Sequence, residues 1–243
     1  MATGSFADIP ALPASEIPKM SAVVASGARL PEDARKFKSP AIEAVITQTV
    51  KALKDPQLAR LFSNCYPNTL DTTVETGTVD GKPDTFVITG DIKALWLRDS
   101  SAQVAPYLPQ VVHDPALKTL FHGLIQRQAR CILIDPYANA YMYDPLAKTD
   151  LPWSQTDQTD MKPGVAERKW EIDSLCYPIR LAHGYIAATQ DLTPFDETWR
   201  TAMRTIVATF RDQQRKNGQG PYKFNRKATE PTETLPHGYG WPT

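Results

Sequence analysis

Apolar residues recur at three- and four-residue spacing through most of the chain, and several of these stretches are opened by a small polar residue followed by proline. Ser39-Pro40 opens the first, a cap with proline at the first helical position, and Ile42, Val45, Ile46, Val50 and Leu53 then form one stripe. Asp55-Pro56 restarts the pattern through Leu58, Leu61 and Phe62 until Asn64-Cys65-Tyr66-Pro67-Asn68 ends it. The clearest helix follows Asp114-Pro115, with Leu117, Leu120, Phe121, Leu124, Ile125, Cys131 and Ile132 at helical spacing. Two more are predicted, one through Ile172, Leu175, Ile179 and Ile186, the other from about Phe195 through Trp199, Ile206 and Phe210 to a stop at Asn217-Gly218.

Three stretches break this rhythm. Thr72 to Ile88 is rich in Thr and Val around Asp80-Gly81, which predicts a small β-hairpin. After it, Thr89 to Asp99 forms a Gly-punctuated loop from which Ser100 and Ser101 open a helix that Pro106 and Pro109 shorten or kink. Residues 135–168 form a long polar connection, and its Tyr137, Tyr141, Tyr143, Met142 and Trp153 predict the ordered wall of a site. Consecutive helix pairs joined by long loops imply an all-α fold of stacked helical hairpins, either a bundle or a closed toroid. Residues 1–38 carry no sustained period and read as an extended arm before a domain running from 39 to 243.

Composition narrows the function by exclusion. Of 243 residues, 27 are Lys or Arg and 27 are Asp or Glu, which leaves no basic footprint for nucleic acid or an anionic membrane and suits a neutral substrate. No apolar run approaches a membrane span and the start lacks signal-peptide character, so a cytoplasmic protein is expected. Cys65, Cys131 and Cys176 lie far apart and read as small buried hydrophobes. His113, His122, His183 and His237 have no metal-ligand spacing, so no metal and no cofactor is expected.

Two segments concentrate candidate chemistry. Asp91, Trp96, Arg98 and Asp99 fall within ten residues: Trp offers an apolar face to a sugar ring, Arg a planar fork of donors, and Asp acceptors for paired hydroxyls. The same residues equally describe a structural ion pair. Lys169-Trp170-Glu171-Ile172-Asp173-Ser174 places two carboxylates at a helix start beside Trp170 and Leu175. They read either as first-turn acids favoured by the helix dipole or as a general acid tuned by apolar neighbours. Two residues apart, they should face different ways on a helix, so one of them needs a distant partner.

Four blocks in order resemble glycoside hydrolase family 125, the metal-independent exo-α-1,6-mannosidases. They are Asn64-Cys65-Tyr66-Pro67-Asn68-Thr69-Leu70-Asp71-Thr72-Thr73, Thr89-Gly90-Asp91-Ile92 with Trp96-Leu97-Arg98-Asp99-Ser100, Asp135-Pro136-Tyr137-Ala138-Asn139-Ala140, and Glu167 to Pro178. The resemblance implies an (α/α)6 toroid, here about its first half, whose funnel holds one terminal mannose of an α-mannoside or N-glycan-derived oligosaccharide. It implies cleavage with inversion, Asp173 as general acid, and Asp91, Trp96, Arg98 and Asp99 as parts of the sugar subsite. The general base of the family, a late glutamate, lies beyond the segment corresponding to Thr232-Glu233-Thr234-Leu235, so a truncated hydrolase is expected. The alternatives are a mannose-binding remnant without turnover and a related inverting glucosidase on the same toroid. Half a toroid is further expected to leave core faces of helices such as 114–134 unpartnered.

Overall fold

A computed structural model describes residues 29–216 and 220–226. The far ends of the predicted arm and of the domain, with the Asn217-Gly218 stop and the 232–235 segment, fall outside the described residues. The described helices are α1 (Pro40–Ala52), α2 (Pro56–Cys65), α3 (Asn68–Thr72), α4 (Leu97–Val104), α5 (Pro115–Ile134), α6 (Ile172–Thr189) and α7 (Glu197–Gln213). The polar residue before each Pro-started helix caps it. Ser39 Oγ accepts from Ile42 N–H at 3.2 Å, Asp55 from Gln57 at 2.8 Å, and Asp114 from Ala116 at 2.9 Å. Each such cap stabilises its helix by about 1 kcal/mol. Ser39 also donates to Asp114 at 2.5 Å, which ties the starts of α1 and α5 together.

The hairpin forms as its sequence predicts, with β1 (Val74–Val79) and β2 (Lys82–Val87) antiparallel in register Val74↔Val87. Asp80 and Gly81 both take positive φ, 51° and 73°, as a two-residue turn matched to strand twist requires. The hairpin is not peripheral, because β2 lies along α5 and its Phe86 and Val87 are buried in the main core. Gly123 permits this approach: a Cβ there would lie 2.5 Å from Thr85 Oγ1 and 2.7 Å from the Asp84 carbonyl carbon. The contact is also pinned electrostatically. Asp84, buried, takes Arg127 Nε at 2.8 Å and a second, shorter bond from Arg127, and is bonded by Arg130 as well.

Helix α5 is the centre of the molecule, packed by β2, α6, α7 and the 3-10 segment Ala105–His113 that continues α4 past Pro106 and Pro109. Leu117, Leu120, Phe121 and Leu124 are fully buried, each worth about 1.5–3 kcal/mol over exposure. Its buried amide nitrogens are satisfied, Gln126 donating to Pro194 O and Gln128 to Ser100 and Ser101, while Gln128 Oε1 has no hydrogen-bond partner among the described residues. This corrects the expectation that 114–134 would lack partners. On α5 itself Leu133, near its end, is an exposed large apolar side chain, and others lie at Leu58 and Leu61 of α2, Ile172 and Ile179 of α6 and Val207 of α7. The cysteine reading is also corrected in part, since Cys131 is buried but Cys65 and Cys176 are exposed.

The described part of the arm is tied down, with Arg29 hydrogen-bonded to Asp71 and Glu43. A second small sheet was not legible in the pattern. It joins β3 (Leu95–Trp96), β4 (Ala140–Tyr141) and β5 (Val165–Glu167), in the order β3-β4-β5. Among the described residues no helix is long and apolar enough to cross a membrane.

Candidate active site

The small sheet decides where the candidate residues meet. β4 is antiparallel to both neighbours, with Trp96 opposite Ala140 and Ala140 opposite Glu167, so β3 and β5 run the same way. The ladder extends one step further, Leu97 N–H to Asn139 O at 3.1 Å and Asn139 N–H to Glu167 O at 3.2 Å. Each outer strand then feeds a helix. β3 passes without a linker into α4, and β5 passes through residues 168–171 into α6. Because α4 and α6 pack together, their N-termini stand side by side. The helix therefore starts at Leu97 rather than at Ser100, and Arg98 and Asp99 ride on its first turn instead of on a loop.

At that junction one guanidinium gathers three carboxylates. Arg98 Nη1 lies 3.0 Å from Asp173 Oδ2 and 3.2 Å from Glu171 Oε2, and Nη2 lies 3.5 Å from Asp99 Oδ2. Burial works against the charge on Arg98, but the hydrogen bond to Asp173 and the fields of Asp173, Asp99 and Glu171 outweigh it and raise its pKa above the ordinary value. The expectation that Glu171 and Asp173 diverge is overturned. Glu171 is the N-cap of α6, with extended φ −130° and ψ 126°, so helical spacing does not apply to it. Glu171 Oε2 and Asp173 Oδ2 both bond Arg98 Nη1, so these two oxygens lie at most about 6 Å apart, closer than the carboxyls of an inverting pair.

The two acids are not equivalent. Glu171 carries a second cation, Lys169 Nζ at 3.3 Å, whereas among the described residues Asp173 has Arg98 alone and is the more open side chain, 40% against 27% exposed. Three buried polar atoms here have no hydrogen-bond partner among the described residues: Asp99 Oδ2, Asp173 Oδ1 and Trp170 Nε1. Such atoms cost stability until something bonds them, and a ring of sugar hydroxyls offers both donors and acceptors.

The remaining predicted residues divide. Trp96 is 9% exposed and packs with Ala94, Ala140, Leu151 and Ala166 in a second small core that also braces the 142–164 loop. Asp91 sits in the exposed turn that closes the Thr89–Ile92 bridge, and no hydrogen bond or ion pair among the described residues joins it to Arg98. Sequence reasoning missed the support beneath the site. Glu167 accepts from Asn139 Nδ2 at 2.7 Å and Trp153 Nε1 at 3.1 Å and is bonded by Arg226. Asp135, fully buried, holds Arg168 at 2.7 Å. The blocks Asp135–Ala140 and Glu167–Pro178 contained these residues, but nothing in their local pattern marked the pairing. The 135–168 connection is not all loop, since β4 and β5 lie within it, and the 142–164 loop between them is held by Ser154 and Thr149, both donating to Ala166 O. Among the described residues no three His, Cys, Asp or Glu side chains are grouped to hold a metal ion.

A family model for metal-independent α-mannosidases (GH125) matches residues 55–243. The meiotically up-regulated gene 157 protein of Schizosaccharomyces pombe is 39% identical over 216 residues, covering 83% of this chain and 42% of that protein. A solved metal-independent α-mannosidase of Streptococcus pneumoniae, in a non-productive complex with α-1,6-mannobiose, aligns with a TM-score of 0.75 at 36% identity, covering 85% of this chain and 47% of its own. The chain thus spans less than half the length of either relative, and its stacked helices correspond to part of an (α/α)6 toroid. The match of most of the chain to that family model, together with these relatives, shows that it belongs to the metal-independent α-mannosidase family, glycoside hydrolase family 125.

Proposed function

We propose that this chain forms the acid-bearing part of an inverting exo-α-1,6-mannosidase site that releases terminal mannose. The observation that carries the reading is the clamp at the paired helix starts, where Arg98 fixes Asp173 through one oxygen and Oδ1 has no hydrogen-bond partner among the described residues. In this role Asp173 donates its proton to the glycosidic oxygen as the bond to the anomeric carbon breaks, and the departing sugar leaves as an alcohol. A water attacks the opposite face of the ring and gives its proton to a general base, which inverts the configuration. Glu171, locked on Arg98 and Lys169, holds the clamp and is not that base. The base belongs to the part of the family domain that this stretch does not span. Arg98 and Asp99 line the subsite for the terminal sugar, Trp96 backs it, and Asp91 reaches it from the rim turn.

For the 243-residue stretch by itself, the position of Glu171 favours a second reading, sugar binding without turnover, because it stands closer to Asp173 than the carboxyls of an inverting pair do. The decisive experiment uses protein spanning the complete family domain and its Asp173→Asn variant. On α-1,6-mannobiose the variant should lose at least about 100-fold in kcat, the usual range for a general acid. A mannoside with a dinitrophenolate leaving group, which departs without protonation, should lose far less. Equal losses on both substrates, or undiminished hydrolysis of the disaccharide, remove Asp173 from the acid role.

A further inference from the structure

We infer that Tyr222 is a positioning residue for the acid: its hydroxyl sets the course of the short linker that carries Glu171 and Asp173 to Arg98. Only residues 168–170 separate the end of β5 from the cap of α6, so the direction of these three peptides fixes where both carboxylates stand. Tyr222 bonds both ends of that linker. Its hydroxyl accepts from Trp170 N–H at 2.8 Å and donates to Arg168 O at 3.3 Å. The middle peptide is held separately, Lys169 N–H donating to Asn139 Oδ1 at 3.2 Å.

The tyrosine is itself held on several sides. Its ring stacks on Tyr137, with centroids 5.2 Å apart and planes 14° from parallel, and the Arg168 guanidinium lies 5.3 Å from its centroid. Trp170 meets it edge-on at 6.5 Å. The strand-like strap 220–226 that carries it is anchored by paired backbone bonds between Asn225 and Gln158, by Thr159 Oγ1 donating to Lys223 O, and by Arg226 on Asp157 and Glu167. Burial pushes the Tyr222 phenol well above its ordinary pKa, so the hydroxyl keeps its proton and its donor role at any working pH. None of these atoms touches Asp173. Tyr222 acts through the linker, across a chain separation that no local pattern announces.

The consequence for catalysis rests on the hydrolase reading above, and the test separates the two. In protein with the complete family domain, Tyr222→Phe keeps the stacked ring and removes only the hydroxyl. Because small misplacements of a catalytic group are costly, kcat on α-1,6-mannobiose should fall roughly ten- to hundredfold while KM stays within about twofold. Gly123→Ala, destabilised at the α5–β2 contact away from the site, should keep its kcat per folded molecule. A Tyr222→Phe enzyme with wild-type kcat overturns the inference. Carboxyl-carbon NMR of Asp173 supplies a readout that needs no turnover. Its chemical shift at fixed pH, which reports the approach of Arg98 Nη1 to Asp173 Oδ2, 3.0 Å in the wild type, should move in Tyr222→Phe. If the wild-type enzyme releases no mannose, the hydrolase reading fails, and an unmoved Asp173 resonance then overturns the positioning role while a shifted one sustains it.

Discussion

Replacing Gly123 with alanine tests the packing of the hairpin on the central helix. In an exposed helix interior the change would stabilise by about 1 kcal/mol, since glycine is the poorer helix former. Here the added methyl would lie 2.5 Å from Thr85 Oγ1, 2.7 Å from the Asp84 carbonyl carbon and 2.8 Å from Thr85 N. Two of those three atoms are backbone, so no side-chain rotation relieves the clash. Nor can β2 retreat freely, because it is paired to β1 along its whole length and Asp84 is bonded to both Arg127 and Arg130. Overpacking of this kind costs about 1–3 kcal/mol, and a backbone clash belongs at the upper end. Subtracting the gain in helix propensity leaves a net loss of about 2 kcal/mol. For a chain of this size that lowers Tm by roughly 4–8 °C. The assay is urea and thermal unfolding followed by far-ultraviolet circular dichroism, with wild type and variant in the same buffer. An alanine variant as stable as wild type, or more so, would mean that β2 does not press on α5 as described.

Other substitutions probe the site and the charge network. Arg98→Ala leaves Asp99, Glu171 and Asp173 without their shared cation and should reduce mannobiose hydrolysis at least about 100-fold, whereas Arg98→Lys, a point charge without the planar fork, should recover only part of it; full recovery by lysine would show that the fork does not matter. At Asp196, the cap of α7, burial disfavours the carboxylate, but Lys82, the Trp199 N–H and Gln126 outweigh it and bring its pKa down to about 2. A depressed carboxyl stabilises the fold fully above its unfolded value near ~4 and loses that contribution as pH falls towards the folded value. The gap in urea midpoint between wild type and Asp196→Asn should therefore be widest near neutral pH and narrow as pH drops below about 4; a gap independent of pH would contradict the pairing.

Legibility in the sequence followed the range of the interactions. Ser39, Asp55 and Asp114 were readable as caps because a cap and its partner lie within three residues, and Asp80-Gly81 was readable because the turn carries its own conformational requirement. β3, β4 and β5 were not readable. Two or three residues carry no period, and their pairing joins Trp96 to Ala140 and Ala140 to Glu167 across long loops. That one omission propagated. Without the sheet, Arg98 falls on a loop, Glu171 and Asp173 seem to diverge, and the cluster Asn139, Glu167 and Arg226 stays invisible. Trp96 and Asp91 were chosen for their chemistry, and the fold treats them differently, one walled into a small core and the other on an open turn. The exposed Cys65 and Cys176 show the same limit, since composition says which residues favour burial but not which helix face lacks a cover.

The direct join of β3 to α4 gives the clamp one fixed jaw and one adjustable jaw. Trp96 ends the strand and Leu97 begins the helix, so Arg98 has no slack, and an insertion there would rotate it off the site by about 100°, the turn of one helical residue. The opposite side has a three-residue linker held by hydrogen bonds from Tyr222 and Asn139, whose geometry can be retuned without breaking a strand or a helix. The acid rides on that second jaw. Divergence in the distance between acid and guanidinium among related chains should therefore be written into residues 168–170 and their partners, while the β3–α4 junction tolerates neither insertion nor deletion.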